Sequence, residues 1–213
     1  MMEGALLPFS REQFFDLFAV YNTAIWPAQI VGGAIAIGAI AMLWFRLKPA
    51  APIILCGLAL LWVWTGSVYH ILFFSRINGA AAWFGALFVV QAFLLVVFAW
   101  RGSVEVSRDA LGNVMAWTIL CYAVLLYPLI NAWSGHWYPA APTFGVTPCP
   151  LVIFTFGALL FTTKRAPWSF FVVPLFWSVV GGSAAFLLGV HSDSALPISA
   201  VIATVQNAQK DTA

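Results

Sequence analysis

An all-α fold, a polytopic helical membrane protein of six to seven spans with an amphipathic interfacial helix at its N-terminus, is predicted by three observations. Of 213 residues, 63% are hydrophobic and only 8% charged, whereas about a quarter of the residues in soluble domains are charged. The apolar residues come in runs close to the 20 or so that a helix needs to cross a bilayer. The alternating pattern of a membrane β-barrel does not run through them.

The chain divides into an interfacial segment (1–24), a transmembrane domain (25–206) and a polar tail (207–213). In "PFSREQFFDLFAVYN", Ser10 is placed to cap a helix, Gln13 to close a capping box and Phe9 to staple onto Phe14. A helix with such a mixed surface lies in the membrane interface. Spans follow at about 25–45, 52–74, 79–100, 110–130, 148–163 and 168–189, with a seventh, short segment near 195–206. The early apolar run is broken by Arg11, Glu12, Gln13 and Asp16, so the first span is expected to act as its own insertion signal.

Basic residues set the expected orientation. With the N-terminus outside, Arg46, Lys48, Arg101, Arg108, Lys164, Arg165 and Lys210 fall inside, and Arg11 and Arg76 outside, a positive-inside bias. The localisation expected is a bacterial inner membrane. All nine basic and seven acidic residues fall outside the spans, leaving His70 as the intramembrane group that titrates near neutrality. His70, His136, His191 and Cys149 then share the outer side, with Asn22, Tyr69, Asn78, Tyr138 and Asp193 at similar depth.

Three stretches, "PFSREQFFDLFAVYNTAIWPAQI", "YHILFFSRINGAAAWFGALFVVQ" and "GHWYPAAPTFGVTPCPLVIFTFG", resemble a bacterial integral-membrane family catalogued only as a domain of unknown function. The resemblance spans most of the chain and implies a shared multi-span fold, without an activity. Asn22, Trp26, Pro27, Tyr69, His70, Asn78, His136, Pro139, Pro142, Cys149 and Pro150 match its recurrent polar and proline positions; His191 does not. The run "SVYH", Ser67 to His70, also resembles the Ser/Tyr/His turn of the haemolysin III and progestin-receptor group, which has zinc sites. This chain lacks that group's late helix with two histidines one turn apart.

The third stretch contains no Lys, Arg, Asp or Glu. Thr147 is placed to cap a helix whose first three positions are Pro148, Cys149 and Pro150, where a missing N–H breaks no intrahelical bond. From Pro148 to Thr163 the helix covers only about 24 Å of a hydrocarbon layer of about 30 Å. It therefore starts below the surface, and its prolines delete two N–H groups that would be costly to bury there. A polar vestibule above that start is expected, with Cys149 a free thiol, since Cys56 and Cys121 lie too far away in depth to pair with it.

His70, His136 and Cys149 are the candidate ligand-binding residues, converging on this vestibule, with Asn22, Tyr69, Asn78 and Tyr138 in support. The first three also have the donor types of a transition-metal site, although no close-spaced pair such as HxxxH or CxxC is present. Aromatic belts account for Trp26, Trp44, Trp83, Trp100, Trp133, Trp137 and Trp168 near span ends. The function expected is binding of a small solute or metal ion, extending to its transport. The partners are the lipid bilayer and that small-molecule or ion ligand, with no nucleic acid. A metal-assisted hydrolase and a non-catalytic membrane scaffold are the alternatives. Catalysis ranks behind binding because the nearest acids, Glu12, Asp16 and Asp193, are expected at the surface.

Overall fold

The computed structural model describes residues 7–102, 105–106 and 113–210. Arg108 and Asp109, in the loop expected on the inner side, lie outside the described residues. The fold is all-α, with eight helices in the described residues: α1 (Arg11–Ala24), α2 (Ala28–Trp44), α3 (Ala50–Arg76), α4 (Ala81–Arg101), α5 (Val114–Trp133), α6 (Pro148–Leu160), α7 (Ser169–Leu188) and α8 (Ala195–Gln209).

Every segment expected to be apolar forms a helix, but the number long enough to cross a membrane is smaller than six or seven. Four are, α3, α4, α5 and α7, and the broken pair α1–α2, bent by 88°, can be counted as a fifth. Length makes the difference: α6 has 13 residues and α8 has 15, about 20 and 23 Å at 1.5 Å per residue. α6 is instead the centre of the bundle, with all its residues but Ala158 buried. A helix that is apolar all round needs a protein core or lipid around it, and for α6 neighbouring helices supply that cover. Outward-facing Ile37, Val90, Phe93, Leu129, Val172 and Phe186 are exposed, as are all seven of the tryptophans expected near span ends.

α1 begins as its sequence dictates. Ser10 accepts from the N–H of Gln13, whose side chain accepts in turn from Ser10 N–H, and the Phe9 and Phe14 rings stack at 5.8 Å. The helix buries Phe15, Leu17, Phe18, Tyr21 and Asn22 against the bundle. α3 and α4 meet backbone to backbone. A Cβ on Gly66 would sit 2.8 Å from the Gly85 carbonyl oxygen, and one on Gly85 would sit 2.6 Å from that of Gly66, so only glycine permits the approach. Just there α3 widens into a π-helix, Thr65–Phe73, a distortion frequent at functional sites.

The segments around Glu105, Lys164 and Lys210 meet at one end of the bundle. Thr163 N–H donates to Glu105 C=O, Asn113 to Leu160 C=O, Lys210 to Thr162 Oγ1, and Asn207 pairs with the Ala166 backbone in both directions. The opposite end holds α1, the 134–147 connection and the turn between α7 and α8.

Candidate functional site

The 134–147 connection carries no charge, so its backbone must find neutral partners. Asn22, fully buried, donates to Pro139 C=O (2.7 Å) and Ala141 C=O (2.8 Å). Tyr21 donates to Val146 C=O (2.6 Å) and accepts from the Trp64 indole N–H (3.1 Å). The α1–α2 elbow thus holds the connection as it descends to α6. Thr147 occupies the N-cap position of α6, but its hydroxyl donates back to Thr143 C=O instead of capping. With Pro148 and Pro150 lacking donors, there is little for it to cap.

Below this connection lies a cavity of about 170 Å³. Phe9, just before α1, and Phe14 and Phe18 from α1 roof it, and Phe74, Phe84 and Val180 add to its apolar wall. Its polar contributions come from Tyr69, Asn78, Thr147, Cys149, Trp177 and Asp193. Asp193 is only 3% exposed, which corrects the expectation that it lies at the surface. A 3-10 turn, His191–Ser194, carries it, and hydrogen bonds fasten that turn to α5. Tyr127 Oη donates to Asp193 Oδ1 (2.5 Å), Tyr122 Oη to Ser192 C=O (2.8 Å), and Ser192 Oγ to Asn131 Oδ1 (2.7 Å). The carboxyl forms no ion pair among the described residues. Burial pushes it up to about 6, against the opposing effect of Tyr127 and the neighbouring Cys149 thiol. An unpaired buried carboxyl facing a cavity is costly to fold, and such groups concentrate at functional sites.

The structure brings together Tyr69, Asn78 and Cys149 on one cavity. His70 does not line it. It stands one layer behind, fully buried, with its ring 4.7 Å from Phe88, 4.9 Å from Trp177 and 5.1 Å from Tyr69, and neither ring nitrogen has a partner. His136 stacks on Phe15 at 3.6 Å on α1, its basicity held below the usual range by partial burial and then by the Arg11 guanidinium. Tyr138 and Asn22 belong to the elbow, with Tyr138 Oη donating to Asn22 C=O (3.3 Å). His191 is exposed. Among the described residues no three His, Cys, Asp or Glu side chains are grouped to hold a metal ion. All three cysteines are free, Cys56 and Cys121 exposed and Cys149 buried.

Sequence reasoning passed over Trp177 and Tyr127, and set Asp193 at the depth of the site but on the surface. The Trp177 indole stands in the cavity wall beside the Cys149 thiol, with its buried N–H against Gly181. One available signal was the shortness of the α7–α8 connection, six residues from Gly189 to Ser194, too few to lift Asp193 clear of two packed helices.

Fold and site define an all-helical protein with several helices long and apolar enough to cross a membrane, consistent with an integral membrane protein, built over a small cavity with one buried acid. A family model matches residues 11–212, and the chain belongs to that family, DUF6064, a family of unknown function. This agrees with the resemblance carried by the three stretches. No curated protein matches the chain, and no solved structure does.

Proposed function

We propose that this protein is a bacterial inner-membrane protein, N-terminus outside, that binds a small solute in an outer-side vestibule. The observation that carries the reading is the cavity of about 170 Å³ on which Tyr69, Cys149, Trp177 and Asp193 converge beneath the α1 roof. A dry cavity of about 150 Å³ accommodates a benzene-sized molecule, so the solute is of single-ring size. Small-molecule sites commonly have this composition, mostly apolar and aromatic with a few placed polar groups. The reading extends to transport, with α1 as the element that must move to admit the solute.

Titration of the detergent-purified protein with monocyclic solutes, read by tryptophan fluorescence, tests it, because Trp177 is in the wall. Binding by the wild type and its loss in the cavity-filling variant Ala185→Phe are expected. A panel without effect, or one to which both proteins respond equally, would refute the site. Accumulation of a bound solute in proteoliposomes, absent with Ala185→Phe, tests the extension to transport.

A further inference from the structure

The cavity wall contains one carboxyl group, Asp193, and no basic side chain. Asp193 is 3% exposed, forms no ion pair among the described residues, and has Tyr127 and Cys149 as its immediate polar neighbours. Arg11 of α1 approaches Gly189, at the head of the connection that carries Asp193, yet its guanidinium lies over the Phe15 ring at 5.7 Å, acts on His136 and does not pair with Asp193. The remaining wall is largely aromatic: Phe9, Phe14, Phe18, Phe74 and Phe84, with Tyr69 and Trp177.

Each class of ligand meets this wall differently. An anion meets a carboxylate with no compensating cation. A neutral solute displaces whatever solvates the carboxylate and leaves it unpaired in a drier site, which is costly. A metal ion needs several N, O or S donors, and no three His, Cys, Asp or Glu side chains are grouped to supply them among the described residues. A protonated amine pairs with the carboxylate and is attracted to the faces of the surrounding rings. Its apolar body fills the space the phenylalanines enclose.

We propose that the ligand of this cavity is a small organic ammonium ion, its charged nitrogen bound at Asp193 and its apolar body packed among the aromatic side chains of α1, α3 and α4. The proposal rests on the solute-binding reading above and narrows it to one chemical class. Size sets the upper limit at about eight to ten non-hydrogen atoms, a single ring with a short arm.

Three probes of nearly equal shape, benzylammonium, benzyl alcohol and toluene, separate the claims when titrated into the purified protein at pH 7.5 by calorimetry. Benzylammonium is expected to bind about thirtyfold or more tighter than benzyl alcohol, the effect of removing one partner of a buried charge pair. Asp193→Asn is expected to abolish that preference. Equal or better binding of the two neutral probes, lost in Ala185→Phe, would overturn the ammonium assignment while leaving the cavity reading intact. Binding of none of the three would overturn both. Should Asp193→Asn fail to fold, wild-type protein at pH 5 serves instead, with benzylammonium affinity expected to fall several-fold as the carboxyl protonates. The other titratable groups near Asp193 are the phenols of Tyr69, Tyr122 and Tyr127 and the Cys149 thiol, side-chain types whose ordinary values lie above this pH range. His191, exposed on the same turn, is controlled by His191→Gln. An unchanged benzylammonium affinity at pH 5 would overturn the assignment.

Discussion

Replacing Asp193 with asparagine preserves the shape of the side chain and its bond from Tyr127 but removes the charge. Burial raises the Asp193 carboxyl from an ordinary value of 3.8 to about 6 in the folded protein. A group whose folded pKa lies above its unfolded pKa binds more protons when folded, so its stabilisation is complete below pH 3.8 and is lost as the pH rises through about 6. Two pH units of difference amount to about 3 kcal/mol. At pH 7.5 the ligand-free wild type therefore has an ionised carboxylate that the fold disfavours, and Asp193→Asn is expected to be more stable by about 1–3 kcal/mol. For a chain of this size that corresponds to a rise in thermal midpoint of about 2–12 °C. Thermal unfolding in detergent from pH 4 to 8 measures it: the wild-type midpoint should fall between about pH 4 and 6.5 relative to the variant. A variant less stable than wild type at pH 7.5, with parallel pH profiles, would refute the argument, because it would mean that the carboxylate is compensated in the folded state. Stabilisation by removing a charge is the pattern expected of a residue kept for binding and not for folding.

Three further outcomes follow from the packing. Asn22→Ala removes the donors to Pro139 and Ala141 C=O and should cost about 2–4 kcal/mol, the sum for one buried and one part-buried carbonyl left unpaired; a change in thermal midpoint under about 1 °C would show that the elbow does not hold the connection. Gly85→Ala places a methyl group 2.6 Å from the Gly66 carbonyl oxygen and should destabilise by at least about 1–3 kcal/mol, whereas Gly33→Ala, with nothing within 4 Å, should not. In a variant without native cysteines, Trp137→Cys should react with an impermeant maleimide on intact spheroplasts and Lys48→Cys should not; the reverse pattern would invert the proposed orientation.

What the sequence made legible is what local chemistry decides. The α1 cap, its box and its staple are relations between residues three to five positions apart, and they form as the pattern requires. The proline-led start of α6 follows from which backbone groups lack partners. The site was less legible because hydropathy assigns each segment by its own composition. "HSDS" between two apolar helices reads as a solvated turn, and Tyr122, Tyr127 and Asn131 of α5, some 61 to 70 residues away in sequence, draw it inward. The π-helix in α3 was equally hidden. It changes the phase of the helix around Tyr69 and His70, and in a run that is apolar on every side no periodicity records that change. His70 and Tyr69 are neighbours in sequence, yet Tyr69 lines the cavity and His70 lies behind it.

The same features explain why a charge-free stretch can sit so close to a buried acid. The 134–147 connection must pass over the cavity to reach α6, and a basic residue there could neutralise Asp193 from above. Prolines and small residues avoid this, and Asn22 and Tyr21 satisfy its buried and part-buried carbonyls with neutral donors. The lack of charge in the connection, and the lack of a cation beside Asp193, therefore act together: the first allows the backbone to descend, and the second leaves the carboxylate free for a positive group supplied by something other than the chain.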